Sequence, residues 1–99
     1  MVDLVGNSSA IFEFSTITKC HDMMKSLIAC DYDYYKFAQD FPNEMTYLED
    51  DDAIIILKDI PEMCEDFIKH YHKGTDTTSK FLEEIRDIYN EFKNFFCLD

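Results

Sequence analysis

Apolar residues recur along this chain in two rhythms, and each predicts its own kind of element. Cys20, Met23, Met24, Leu27 and Ile28 fall at i, i+3, i+4, i+7 and i+8, which is one face of a helix. Lys19, Asp22, Lys25 and Ser26 take its solvent side, Ser15, Thr16 and Thr18 offer hydroxyl caps, and the helix is expected to end near Cys30. The central block AIIILKDIPEMCEDFIKHYHK, residues 53–73, predicts a strand, a corner and a helix. Ile54 to Leu57 form an uninterrupted, largely β-branched run, as expected of a strand covered on both faces. Pro61 suits the first turn of the following helix, with Asp59 as cap. Met63, Cys64, Phe67, Ile68 and Tyr71 make its apolar stripe, and Gly74 ends it.

The rhythm of two belongs to the amino terminus. Val2–Val5 and Ala10–Phe14 alternate, with Phe12 and Phe14 on one face, and the turn cluster Gly6-Asn7-Ser8-Ser9 lies between them. They predict a β-hairpin that needs another strand or helix beneath it. Between the first helix and the central block, Tyr34, Tyr35, Ala38 and Phe41 predict a turn or two of helix stopping before Pro42. Glu44, Glu49 and Asp50–Asp52 then read as a solvated acidic loop. Consecutive carboxylates there lack the alternation and central Gly of a calcium loop. After a polar connection at Thr75–Thr78 the last helix carries Phe81, Leu82, Ile85, Ile88, Tyr89, Phe92, Phe95 and Phe96. These cover more than half its circumference, wider than a helix packed on one side requires.

Composition narrows the class. Ninety-nine residues with 46% hydrophobic content predict one ordered domain over 1–99. A net charge of −12 excludes an ordinary electrostatic nucleic-acid binder and leaves basic protein surfaces as charged partners. No stretch approaches the ~18 apolar residues of a membrane span, and the start lacks the features of a secretory signal. The cysteines, Cys20, Cys30, Cys64 and Cys97, are widely spaced and read as small buried hydrophobes in a reducing compartment, nuclear or cytoplasmic. No phosphate loop, nucleophile elbow or zinc spacing occurs, so neither enzyme, metal site nor cofactor is expected. His21, His70 and His72 are assigned to the surface or to helix ends.

Order and spacing of these elements carry a resemblance. The strand IFEF, the helix containing MKSLI, an acidic connection, the run IILKDIP, a helix with a late Tyr, and Asn94-Phe95-Phe96 near the end together resemble the elongin C branch of the BTB/POZ family. That family is related to the S-phase-kinase-associated cullin adaptors. The resemblance implies an α/β fold, a small sheet of the hairpin plus the central strand packed with about four helices. It also implies a non-catalytic ubiquitin-ligase adaptor with three partners: an elongin-B-like ubiquitin-fold protein, a BC-box-type receptor helix and a cullin. By position, Val2, Leu4, Phe12 and Phe14 would face the elongin-B-like protein. Tyr71, Ile85, Tyr89, Phe92, Phe95 and Phe96 would line the groove for the receptor helix. Here GTDTTS replaces the family's Pro- and Ile-containing segment, and Phe92-Lys93 replaces a small Ala-Ala pair. A self-associating BTB-like domain and an acidic decoy of a basic protein surface stand as alternatives.

Overall fold

The computed structural model describes residues 16–98, and every regular element among them is a helix. Helix α1 occupies residues 16–28 of this span. It is followed by α2 (Tyr34–Met45), α3 (Asp51–Leu57), α4 (Ile60–His72) and α5 (Thr78–Phe95). The expected hairpin, with Val2, Leu4, Phe12 and Phe14, lies outside the described residues. The expected α/β fold is overturned: no strand occurs among the described residues, and the central strand of the proposed sheet is helix α3.

The reason lies in the residues on either side of the isoleucines. Asp50 is the N-cap of α3, its carboxylate accepting from the Ala53 N–H at 3.0 Å, and Asp51 and Asp52 occupy the first turn. A cap contributes about 1 kcal/mol, and each carboxylate at a helix N-terminus ~0.3–1 kcal/mol. Those gains are comparable to the helix penalty of three isoleucines, up to about 0.7 kcal/mol each. Burial then decides, because fully covering a leucine is worth roughly 1.5–3 kcal/mol. Ala53 and Leu57 are wholly buried, one helical turn apart, whereas Ile54 and Ile55 are 40% and 59% exposed. The acidic run is thus the start of a helix and not a loop.

Helix α2 is also longer than its sequence suggests. Asp33 caps it by accepting from the Lys36 N–H at 2.9 Å, and it continues through Pro42 to Met45. Pro42 has no N–H to give to the Ala38 carbonyl, but Phe37, Ala38 and Phe41 are buried, and their packing holds the helix across the gap. Three helices end alike. Cys30, Gly74 and Cys97 sit at φ of 65°, 79° and 55°. In each case the N–H of that residue and of the next one turn back onto the closing turn: Cys30 to Leu27 and Asp31 to Ser26, Gly74 to Tyr71 and Thr75 to His70, Cys97 to Asn94 and Leu98 to Lys93. This is the Schellman arrangement, which glycine adopts freely and cysteine adopts against its Cβ.

Helix α4 matches its stripe, although Asp59 at its N-cap makes no side-chain cap hydrogen bond. Pro61 is in the first turn, Ile60, Cys64 and Phe67 are buried, and Gly74 follows its end. Helix α2 packs on α4, and α3 and α4 both pack on α5. Lys19 Nζ lies 3.2 Å from Glu44 Oε1, tying the start of α1 to the end of α2. Phe37, Phe41, Leu57, Ile60, Ile85 and Phe92 are among the fully buried side chains that these helices enclose.

Two assignments made for polar and sulfur groups need correction. His21 is buried, not on the surface. Its Nδ1 is 3.0 Å from Asp22 Oδ1 and its Nε2 is 3.5 Å from the Tyr89 hydroxyl, so the ring bridges α1 and α5. A carboxylate only accepts, so Nδ1 donates to Asp22. Of the cysteines, Cys20 and Cys64 are buried as expected, but Cys30 and Cys97 are exposed, because both occupy the turn that ends a helix.

Candidate functional site

Beside the stripe that sends Ile60, Cys64 and Phe67 into the core, α4 carries a second line of residues facing α5. Asp59, Glu62, Met63, Asp66 and His70 form one wall, and Thr77, Lys80, Phe81 and Glu84 form the other. Their i, i+3, i+4 and i+7 spacings keep each set on one side of its helix. Between them lies a depression of about 270 Å³, floored by Met63, Phe67 and Phe81. Phe67 and Phe81 stack with ring centroids 4.7 Å apart and planes at 25°, and both are buried, so the floor is the outer edge of the core itself.

A second depression, of about 310 Å³, is lined by Phe67, Tyr71 and the connection from Gly74 to Thr78. Phe67 and Thr77 line both depressions, and the first of them is the trough between α4 and α5. From Asp59 to His70 the wall rises about 16 Å, or three helical turns. The His70 ring donates from Nδ1 to the Asp66 carbonyl at 2.8 Å. At the far end the Asp76 carboxylate accepts from the Thr78 N–H at 2.9 Å and from the Thr78 side chain, which holds its carboxyl below the usual range.

The predicted groove residues divide. Tyr71 lines the second depression and not the first; it is 57% exposed, and its ring lies 4.6 Å from that of Tyr35, whose hydroxyl meets His72 Nε2 at 2.9 Å. Ile85, Tyr89 and Phe92 are core residues, because α5 turns them toward α1 and α3 and away from solvent. Phe95 is 54% exposed and Phe96 half-buried; they pack on each other at the end of α5, away from the trough. The surplus of apolar surface on the last helix is therefore mostly absorbed by the domain itself, with Phe95 left over.

The sequence reading missed the carboxylates Asp59, Glu62, Asp66 and Glu84 and the floor residue Phe81 as a set. The signal was present: acids at 59, 62 and 66 flank Met63 and Phe67 on the same helical side. The Asp50–Asp52 run, which suggested a decoy, is engaged in starting α3.

Among the described residues no group of three or more His, Cys, Asp or Glu is arranged to hold a metal ion. Burial pushes the Cys64 thiol up to about 12, and burial together with the hydrogen bond to Asp40 pushes Tyr32 up to about 12, both away from a reactive anion at neutral pH. No helix among the described residues is long and apolar enough to cross a membrane. No family model, curated protein or solved structure matches the chain.

Proposed function

We propose that this chain is a non-catalytic protein-interaction domain that receives an amphipathic helix of a partner along the α4–α5 trough. The observation that carries this is the depression of about 270 Å³ between α4 and α5, where half-buried Met63 and the outer edges of the buried Phe67 and Phe81 rings lie between two polar walls. Grooves of this form gain affinity by accepting the apolar ridge of a helix at i, i+3, i+4 and i+7 positions. The proposal keeps the helix-receiving part of the adaptor role. It leaves aside the elongin-B-like protein and the cullin, because the resemblance that implied them ran through a sheet, and its central strand is a helix.

Met63 is half-buried on the floor, so Met63→Asp places a charge where an apolar ridge would sit while leaving the fully buried core intact. Partners recovered with the wild-type chain should be lost with Met63→Asp, whose circular dichroism should match wild type. If every recovered partner binds a folded Met63→Asp chain equally well, the trough is not the docking site.

A further inference from the structure

The corner between α2 and α3 holds a hydroxyl that neither the trough nor the core uses. Thr46 is the C-cap of α2 and is exposed. Its Oγ1 donates to the Asn43 carbonyl at 2.6 Å and accepts no hydrogen bond among the described residues, so its lone pairs are open to an incoming electrophile. Residues 46–50 belong to no helix. Leu48 is buried and anchors this stretch, while Thr46, Tyr47 and Glu49 are exposed on either side of it. A short irregular surface segment can enter an enzyme's extended groove, which a helical acceptor cannot do without unwinding.

The charge that follows the hydroxyl has one sign. Glu49, Asp50, Asp51 and Asp52 stand three to six residues after Thr46, and no Lys, Arg or His occurs between Lys36 and Lys58. No other Ser or Thr in the sequence has a carboxylate three residues on. Asp50 caps α3, whereas Asp51 and Asp52 stay exposed on its first turn. The start of α3 therefore holds the acids in place, directly after the acceptor.

We propose that Thr46 is a phosphorylation site, modified by an acid-selecting Ser/Thr protein kinase whose basic groove reads the carboxylates after it. Thr46 Oγ1 attacks the γ-phosphorus of ATP, the bond from that phosphorus to the β,γ-bridging oxygen breaks, and ADP leaves. The hydroxyl proton passes to the kinase's own base. A kinase that requires Pro after the acceptor finds Tyr47 instead. The product carries about two negative charges at the carbonyl end of α2, where a helix disfavours anions, and has lost the donor that held Asn43. Phosphorylation thereby loosens the corner that joins α2 to α3.

The test treats the folded full chain with ATP, Mg²⁺ and casein kinase II and locates the phosphate by fragment mass spectrometry. One phosphoryl group is expected on Thr46, none with Thr46→Val, and one again with Thr46→Ser. Glu49→Gln combined with Asp51→Asn should lower kcat/KM about tenfold, with circular dichroism unchanged. In the phosphorylated chain the urea midpoint should fall. The amides of Tyr47 and Leu48, which donate to the Glu44 and Met45 carbonyls, should exchange several-fold faster. The site is overturned if the folded chain takes no phosphate, takes it on Tyr47 or elsewhere with Thr46 unmodified, or takes it at the same rate without the Glu49 and Asp51 charges. A phosphorylated chain with unchanged midpoint and exchange overturns the loosening.

Discussion

Replacing Ile55 by Lys and, separately, Leu57 by Ala distinguishes a helix at residues 51–57 from a strand buried on both faces. Ile55 is 59% exposed, which leaves 41% of it covered. Taking roughly 1.5–3 kcal/mol for complete burial, the covered part is worth about 0.6–1.2 kcal/mol at most. Lys returns a few tenths through its better helix propensity, and its stem can cover some of the same surface, so the net cost should stay below about 1 kcal/mol. Leu57 is wholly buried, and Leu→Ala at such a site costs about 2–5 kcal/mol. Urea unfolding, with midpoint and slope both fitted, measures the two. A cost above about 2 kcal/mol for Ile55→Lys, with Leu57→Ala no worse, would mean that Ile55 is interior and that α3 is wrongly placed.

Other expectations follow from the helix ends and the thiols. Asp50→Ala removes the carboxylate that accepts from Ala53 and should cost about 1 kcal/mol, while Asp50→Asn should recover most of it in the same urea titration. Cys97→Gly and Cys30→Gly relieve a side chain held at positive φ and should each stabilise the chain by about 1 kcal/mol; a loss at both positions would show that these turns are not left-handed. A thiol reagent at mild pH should modify Cys30 and Cys97 quickly, whereas Cys20 and Cys64 should react only as the domain opens. Rapid labelling of Cys64 in the folded chain would contradict its burial, the cause of its raised pKa of about 12.

Legibility in the sequence depended on whether local signals agreed with one another. Helices α1, α4 and α5 were readable from their stripes, with Pro61 and Gly74 marking the two ends of α4. The caps were not, since Thr16 and Thr18 lie inside α1 and neither Asp59 nor Thr77 makes a side-chain cap hydrogen bond. Helix α2 was cut short because Pro42 argues for a boundary, while the burial of Phe37 and Phe41 outweighs one missing hydrogen bond. Helix α3 was misread because three consecutive isoleucines favour a strand by propensity. A longer-range pattern argued otherwise: Ala53, Leu57, Ile60, Cys64 and Phe67 repeat at alternating steps of four and three, and all are buried. Tyr71 is exposed and lines the depression beside Gly74–Thr78, but the apolar surplus of α5 was credited to a partner when Ile85, Tyr89 and Phe92 fill the interior. Surplus judged on one helix says little about the surfaces its neighbours bring, and no local signal in α5 reveals that α1 and α3 lie across from it.

The meeting of His21 with Tyr89, 68 positions apart, has a consequence for how the chain is made. Helix α5 packs on α3 and α4, and its Tyr89 ring meets His21 of α1, so a ribosome-bound chain ending before Thr78 lacks the side of the core that α5 covers. Closure waits for the final helix to emerge.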